Sequence, residues 1–221
     1  MKISVITNTI RPEGVALVEK ALKRQTFRDF EHIIQGREKP LESWMVWSFN
    51  RDMNEAICKS TGDLIVSWQD YTFADPDALE KFWQHYEDDH KTIVSAVGNK
   101  YSDDRFLIET WRDPRMRSDQ GTYYEVTYPD VEWNLCSVPR EVLYKIGGFE
   151  EKMDAKFGMD GYSVNERIEN IGGYKFMLDQ TIKSYSLEHG RSEKWEQNNW
   201  IHDYEEIKRA NLENPLRNYL K

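Results

Sequence analysis

The order of apolar and polar residues predicts that strands and helices alternate through the first hundred residues of the chain. Short apolar runs that stop at polar turns predict four buried strands, at residues 2–6, 30–34, 64–67 and 92–97. In the segments between them, apolar residues recur at the helical period, at residues 14–24, 44–60 and 75–87. This alternation is typical of an α/β fold in which helices flank a mostly parallel central sheet.

The pattern changes after residue 100. Residues 103–121 are charged and irregular, which predicts a surface excursion, and residues 123–128 alternate as an edge strand does. Later strands are predicted at residues 133–138, 174–178 and 182–185. Later helices are predicted at residues 139–147, 160–171 and 194–212. No repeat or linker separates these elements, so we predict a single domain over residues 1–221 with a smaller antiparallel part in its second half.

Composition and charge narrow the classes of function. A chain of 221 residues, 39% hydrophobic and 31% charged, is long enough for one well-formed core. The net charge of −9 argues against a nucleic-acid partner, although one bound cation can neutralise a diphosphate locally. No stretch approaches the roughly 20 apolar residues that span a bilayer, and residues 1–6 resemble a strand rather than a signal peptide. Cys58 and Cys136 follow no disulfide or metal spacing, so we expect a cytoplasmic protein without a transmembrane segment.

Polar side chains follow the ends of three predicted strands, at Thr7, Gln35 and Asp70. Ligands of such sheets bind outside the carboxyl ends of the strands, so we expect these loops to meet in one cleft. A carboxylate such as Asp70 at the mouth of a central strand is suited to hold Mg²⁺ or Mn²⁺. The alternative is that Asp70 caps the turn before the next helix.

Two further residues are candidates for chemistry. Asp160 lies among glycines at a predicted helix start, where it would serve as a general base or, equally well, as the helix N-cap. His189 follows the last predicted strand, and it would complete a manganese site if it faced Asp70. The phosphate-loop, dinucleotide-binding, zinc-protease and serine-hydrolase motifs are absent from the sequence, which lowers the odds of those enzyme classes.

Several segments resemble glycosyltransferase family 2 and its galactosyltransferase-like relatives, in the same order along residues 2–190. SVITNTIRP at residues 4–12 resembles the family's V-I-I-P-T-Y-N-R-P, and QTFRDFE at residues 25–31 resembles its Q-T-Y-x-D-F-E. The other similar segments are residues 54–65, 75–79, 134–140, 147–151 and 158–160. The resemblance implies a GT-A fold, with a nucleotide-sugar-binding half at residues 1–100 and an acceptor-binding, catalytic half at residues 101–221.

The resemblance also implies an activity, that of an inverting, hexosyltransferase-type enzyme of polysaccharide biosynthesis. Such an enzyme moves a sugar from a nucleotide-diphosphate donor, a UDP-sugar first of all, to a hydroxyl of a saccharide or glycan acceptor. Trp68-Gln69-Asp70 takes the place of the family's Asp-x-Asp metal motif, of which only Asp70 is acidic. Gln35-Gly36-Arg37 likewise lacks the acidic pair that commonly follows the second strand.

Carried over residue by residue, the resemblance assigns a role to each candidate. Asp160 becomes the general base, and Asp70 and His189 become the ligands of Mn²⁺ or Mg²⁺. The donor nucleotide sugar is assigned to Thr7, Thr9, Arg11, Gln35, Asn54, Gln69 and Asp70. The acceptor is assigned to Trp133 and Asn134, and a core position for Trp133 is an equally good interpretation.

Two other functions stay open at the level of sequence. The missing second acidic residue beside Asp70 also fits a catalytically inactive GT-A-like domain that binds a nucleotide or a glycan. A nucleotidyltransferase on a similar sheet is the weaker alternative. It requires a first loop rich in glycine and lysine, and residues 7–14 contain one glycine and no lysine.

Overall fold

The computed structural model describes residues 1–36, 48–154, 159–189 and 201–220, without the side chains of 201–203. The strands of this part are β1 (Ile3–Asn8), β2 (Phe30–Gln35), β3 (Leu64–Trp68), β4 (Thr72–Ala74), β5 (Thr92–Tyr101), β6 (Glu109–Trp111), β7 (Tyr123–Glu125), β8 (Leu135–Pro139) and β9 (Lys175–Leu187). The helices are α1 (Pro12–Leu22), α2 (Phe49–Lys59), α3 (Ala78–Asp88), α4 (Arg140–Ile146), α5 (Asp160–Ile171) and α6 (Ile201–Glu213). Short 3₁₀ turns lie at Tyr128–Asp130 and Glu151–Met153.

The described strands form one mixed sheet in the order β2-β1-β3-β8-β5-β9-β4, with β6 added beside β5 and β7 beside β9. Strand β1 pairs in parallel with both β2 and β3, and β5 pairs in parallel with β9. Strand β8 joins these two groups by antiparallel pairing to β3 and β5, and β4 runs antiparallel to β9. The predicted α/β fold, with a mostly parallel central sheet and a smaller antiparallel part, is confirmed.

The central strands are buried on both faces, because successive side chains of a strand point to opposite sides of the sheet. Ile3 and Val5 of β1 contact one apolar cluster, which α1 and α3 complete. Ile6 of the same strand contacts the second cluster, which α2, α4 and α5 complete. Helices on both faces therefore leave the carboxyl ends of the strands as the open edge of the sheet.

The structure corrects the sequence prediction in the second half and at one loop. Residues 72–74 are strand β4 instead of part of a loop, and residues 109–111 are strand β6 within the predicted excursion. The two strands predicted at 174–178 and 182–185 are one strand, β9, whose register against β5 shifts between Ala96 and Val97. Backbone pairing with β5 continues past the polar residues around Asp179, which an apolar pattern alone reads as a break.

Parts of two predicted helices lie outside the described residues. Helix α2 begins at Phe49, and the predicted residues 44–47 lie outside the described residues. Helix α6 begins at Ile201, and the predicted residues 194–200 also lie outside them. Among the helices that are described, none is long and apolar enough to cross a membrane.

Candidate functional site

The loops that follow β1, β2 and β3 lie together at the carboxyl edge of the sheet. The backbone N–H of Thr9, after β1, donates to the carbonyl of Gln35 at the end of β2 (2.8 Å). The N–H of Gln69, after β3, donates to the carbonyl of Asn134 (2.8 Å). The N–H of Leu187, at the end of β9, donates to the carbonyl of Tyr71 (2.9 Å). Segments from both halves of the chain therefore border one site.

Asp70 lies at the bottom of this site, 2% exposed, and is bound by side chains from the loop after β1. Arg11 donates from Nε to Oδ2 (3.0 Å) and from Nη2 to Oδ1 (2.9 Å), a bidentate ion pair. The Thr9 hydroxyl donates to Oδ2 (2.5 Å) and accepts the backbone N–H of Arg11 (2.8 Å). Thr9, Arg11 and Asp70, which the sequence assigned to the donor, thus form one hydrogen-bonded group.

His189 joins the group through the same guanidinium. Its Nδ1 lies within hydrogen-bond distance of Nη1 of Arg11. Because a guanidinium has only N–H donors, Nδ1 is the acceptor in this contact. The imidazole also packs on the ring of Tyr71, with centroids 5.0 Å apart, and the Arg11 guanidinium lies 5.2 Å from that ring. Asp70 and His189 are therefore joined through the Arg11 guanidinium, which contacts both side chains.

Tyr71 and Gly14 position this group, and sequence reasoning missed both. Tyr71 has a φ of 56°, a left-handed conformation that is uncommon for residues other than glycine. Its hydroxyl donates to Glu13 (2.8 Å), and its backbone N–H donates to the carbonyl of Gly14 (3.1 Å). A Cβ at position 14 would lie 2.5 Å from the Tyr71 ring, so only glycine allows this approach. The one sequence signal was Gly14 within the first turn of a predicted helix.

As arranged here, these residues do not fit a divalent cation. The Asp70 oxygens and His189 Nδ1, which would be ligands, accept hydrogen bonds from Arg11 and Thr9 instead. Within the described ranges, His, Cys, Asp and Glu side chains form no group of three that could hold a metal. The bound Mn²⁺ or Mg²⁺ stays a prediction.

Asp160 is the first residue of α5 and accepts a hydrogen bond from Nδ2 of Asn50 (2.6 Å). The residue keeps part of its surface exposed. Burial of its carboxyl group and, to a smaller extent, the charge of nearby Asp154 raise its pKa to about 7, against the lowering effect of the Asn50 hydrogen bond. Met159 is the residue at the N-cap position, and it makes no side-chain capping bond. The capping role that the sequence left open for Asp160 is therefore not what the structure shows. A carboxyl with this pKa is suited to accept a proton near neutral pH.

Asn50 connects Asp160 to the carboxyl edge of the sheet. Its side chain is buried, and its backbone N–H donates to Oδ1 of Asp154 (2.7 Å). The preceding residue, Phe49, accepts a hydrogen bond through its carbonyl from Nδ2 of Asn8, the last residue of β1 (2.9 Å). Sequence reasoning missed Asn50, because its partners are more than a hundred residues away along the chain.

Trp133, assigned to the acceptor, lies in the core with 8% of its surface exposed. Its Nε1 donates to Asn165 (3.1 Å), and its ring packs edge-on against Phe149 at 4.8 Å. A Cβ at Gly161 would lie 2.2 Å from this ring, so the glycine after Asp160 lets the start of α5 approach the tryptophan. The structure favours the core interpretation of Trp133.

Three other residues that were assigned to the donor are buried and hydrogen-bonded within the protein. Thr7 is fully buried and shares a hydrogen bond with His32 (2.9 Å). Asn54 is buried and bonds both ways with the backbone of Phe149, which ties α2 to the turn after α4. Gln35 is bound by Lys59 (2.6 Å) at the end of β2. The site role of each of these residues stays a prediction.

An open pocket beside the Asp70 group was missed by the sequence interpretation. It is lined by polar and aromatic side chains that include Asn99, Lys100, Trp111, Arg115, Glu132 and Asn134. Nζ of Lys100 lies over the ring of Trp111, 5.3 Å from its centroid, and Asn134 donates to Glu132 (3.0 Å). Part of this lining comes from residues 103–121, whose irregular pattern predicted only a surface excursion.

Comparison with solved structures shows which known fold the chain adopts. It superposes on S. aureus TarS 1-349 crystallised with UDP-GlcNAc and on the same chain crystallised with UDP, each with a TM-score of 0.69 and 12% identity. Both matches cover 100% of this chain and 70% of that chain. A longer S. aureus TarS chain matches with a TM-score of 0.63 and 12% identity, over 99% of this chain and 41% of that one.

No family model matches the sequence, and a search of curated proteins finds no match. TarS has a GT-A fold, so the expected GT-A fold is confirmed.

Proposed function

We propose that this chain is a glycosyltransferase that moves a sugar from a nucleotide-diphosphate donor to a hydroxyl group of a saccharide or glycan acceptor. The observation that carries the proposal is that two functional groups are present at the carboxyl edge of a GT-A sheet. One is the Arg11–Asp70 pair, and the other is Asp160, a carboxyl with a pKa of about 7. Ligands of sheets of this kind bind at that edge.

The donor is proposed to lie over the loops after β1, β2 and β3. TarS has been crystallised with UDP-GlcNAc and with UDP, which makes a UDP-sugar the first donor to test here. Lys100, Trp111, Glu132 and Asn134 of the adjoining pocket offer an aromatic face, an amide and charges of both signs. Side chains of these types suit the hydroxyls and the apolar faces of a sugar.

Asp160 is proposed to act as the general base. It accepts the proton of the acceptor hydroxyl while that oxygen bonds to the anomeric carbon of the donor sugar. The bond from the anomeric carbon to the diphosphate oxygen breaks, and its electron pair leaves with the nucleoside diphosphate. Attack from the side opposite the leaving group inverts the configuration. A base positioned in this way is worth roughly 10²–10⁴-fold in rate.

A nucleotide- or glycan-binding domain without transfer is the second candidate. The observation in its favour is that Asp70, the single acidic residue of its segment, is already paired with Arg11. Such a domain binds donor and never releases free nucleotide from it. The two candidates therefore differ in turnover and agree in binding.

The test combines binding with turnover on the native chain. UDP-, GDP-, CDP- and dTDP-sugars are screened by thermal shift and by release of free nucleotide, with saccharide acceptors present or absent. A ligand at a hundred times its Kd adds about 2.7 kcal/mol to the stability, which a thermal shift detects readily. Stabilisation with acceptor-dependent release supports the transferase, and stabilisation without release supports the binding domain. No stabilisation by any donor contradicts both the transferase and a nucleotide-binding domain.

A further inference from the structure

The guanidinium group of Arg11 lies between the two side chains that the sequence assigned to a metal. It binds both carboxylate oxygens of Asp70 and reaches Nδ1 of His189. A divalent cation at this point would compete for the Asp70 oxygens and for Nδ1 of His189, which already accept hydrogen bonds from a positive group. The Thr9 hydroxyl donates to Oδ2 of Asp70 as well, so both carboxylate oxygens are engaged within the protein.

Arg11 is held in place by groups that come from separate segments of the chain. Asp70 follows β3, His189 follows β9, and Tyr71 lies 5.2 Å from the guanidinium. The backbone of Arg11 is fixed too, since its N–H donates to Thr9 and Pro12 follows it in the first turn of α1. The group is preorganised, which is the condition for a fixed charge to stabilise a developing negative charge without reorganisation.

The Arg11–Asp70 pair presents its positive end to the cleft. The side chain of Asp70 is 1% exposed, and that of Arg11 is 20% exposed. A guanidinium has five N–H donors, and the contacts of Arg11 within the described residues engage Nε and one hydrogen on each Nη nitrogen. One N–H on each Nη nitrogen therefore remains for a ligand. A planar guanidinium is well suited to phosphate oxygens.

We propose that Arg11 supplies the positive charge that meets the diphosphate of the donor, so that this chain binds its nucleotide and transfers the sugar without a divalent cation. The inference rests on the proposed function, and Arg11 takes the place of the Mn²⁺ or Mg²⁺ that the sequence analysis expected. When the bond from the anomeric carbon to the diphosphate oxygen breaks, the diphosphate gains one negative charge. Arg11 donates N–H hydrogen bonds to it and passes no proton, and Asp70 and His189 keep the guanidinium in place.

The deciding measurement is made on the native chain, with UDP as the first probe and GDP, CDP and dTDP after it. Titration calorimetry gives the Kd in EDTA and again in Mn²⁺. The expected result is the same Kd in both conditions. Binding that requires Mn²⁺ overturns the inference and leaves the proposed function standing. Absence of binding by all four nucleotides in both conditions overturns the proposed function, and the inference with it.

Two variants add an independent readout. Arg11→Ala is expected to raise the Kd for the nucleotide about 10- to 100-fold in EDTA, the range for the loss of a charged hydrogen bond. The same change removes the Arg11 contacts of Asp70 and His189. This variant is therefore expected to bind Mn²⁺ alone, by electron paramagnetic resonance, and to lose that binding again in Arg11→Ala/Asp70→Asn. Arg28→Ala, at an exposed arginine on the opposite edge of the sheet, is the matched control. An unchanged Kd in Arg11→Ala contradicts the inference. If the variants fail to fold, the comparison of the nucleotide Kd in EDTA with that in Mn²⁺, made on the native chain, still tests the inference.

Discussion

Replacing Asp160 by asparagine is expected to abolish transfer and, at the same time, to stabilise the fold at alkaline pH. The ordinary pKa of this carboxyl is 3.8, and in the folded chain burial raises it to about 7. Below pH 3.8 the carboxyl is protonated in both the folded and the unfolded chain, so its burial does not lower the free energy of unfolding. Between the two pKa values the unfolded chain releases the proton first, and the free energy of unfolding falls as the pH rises. Above pH 7 the free energy of unfolding is lowered by the full amount that corresponds to the pKa shift.

The size of this cost follows from the shift. About three pKa units correspond to about 4 kcal/mol, since one unit is about 1.4 kcal/mol. Part of Asp160 stays exposed to solvent, which reduces the cost, so we expect a gain of about 2–4 kcal/mol for Asp160→Asn at pH 8. The gain should vanish near pH 4. Transfer should fall by roughly 10²–10⁴-fold, because asparagine accepts no proton.

The assay is urea unfolding of the native chain and of Asp160→Asn at pH 4, 6 and 8, alongside initial rates of sugar transfer. Other titrating groups cancel in the difference between the two proteins. Asp104→Asn, at an exposed loop residue, is the matched control: its difference in stability from the native chain should not change with pH, and its rate should equal the native rate at each pH. If the difference in unfolding free energy between the two proteins does not grow with pH, the claim that burial raises the pKa of Asp160 is refuted. Unchanged transfer in Asp160→Asn removes this residue from the mechanism.

Two further variants test the groups around Asp160. Asn50→Ala removes the 2.6 Å hydrogen bond that favours the ionised carboxylate, so the midpoint of the pH profile of kcat/KM should rise from about 7 by roughly 1–2 units. Asn170→Ala, at the far end of the same helix, is its control, and an unshifted midpoint contradicts the role of Asn50. Gly161→Ala places a Cβ 2.2 Å from the ring of Trp133, which should cost about 1–3 kcal/mol in urea unfolding. An equally stable variant would mean that Trp133 moves aside at no cost.

The first half of the fold could be predicted from local pattern. Strands β1, β2 and β3 and helices α1 and α3 are each visible as an apolar run or a helical period, because each buries its own apolar side chains. Helix α1 begins at Pro12, two residues before its predicted start, because the fixed φ of proline suits a first helical turn. The order of these elements was enough for the α/β class, and the resemblance in order was enough for the GT-A fold.

The second half could be predicted less well, because pairing rather than hydrophobicity decides its strands. Strand β4 is three residues long and exists through its bonds to β9. Strand β9 continues through Asp179, a buried carboxylate bound by His85 (2.7 Å), where the sequence predicted a break. Nothing within those segments carries the information that a partner strand will lie beside them.

The sequence by itself determined that Arg11, Asp70 and His189 follow strands and that Asp160 opens a helix, and therefore that these four residues were candidates. Only the tertiary structure decided what they do to one another. Arg11 and Asp70 are 59 residues apart, Arg11 and His189 are 178 apart, and Asn50 and Asp160 are 110 apart. Whether a carboxylate faces a guanidinium or stands free for a metal, and whether burial raises its pKa, depends on groups brought close in space by the packing of the sheet and its helices. Electrostatic interactions and desolvation depend on those distances in space, and spacing along the chain does not specify them.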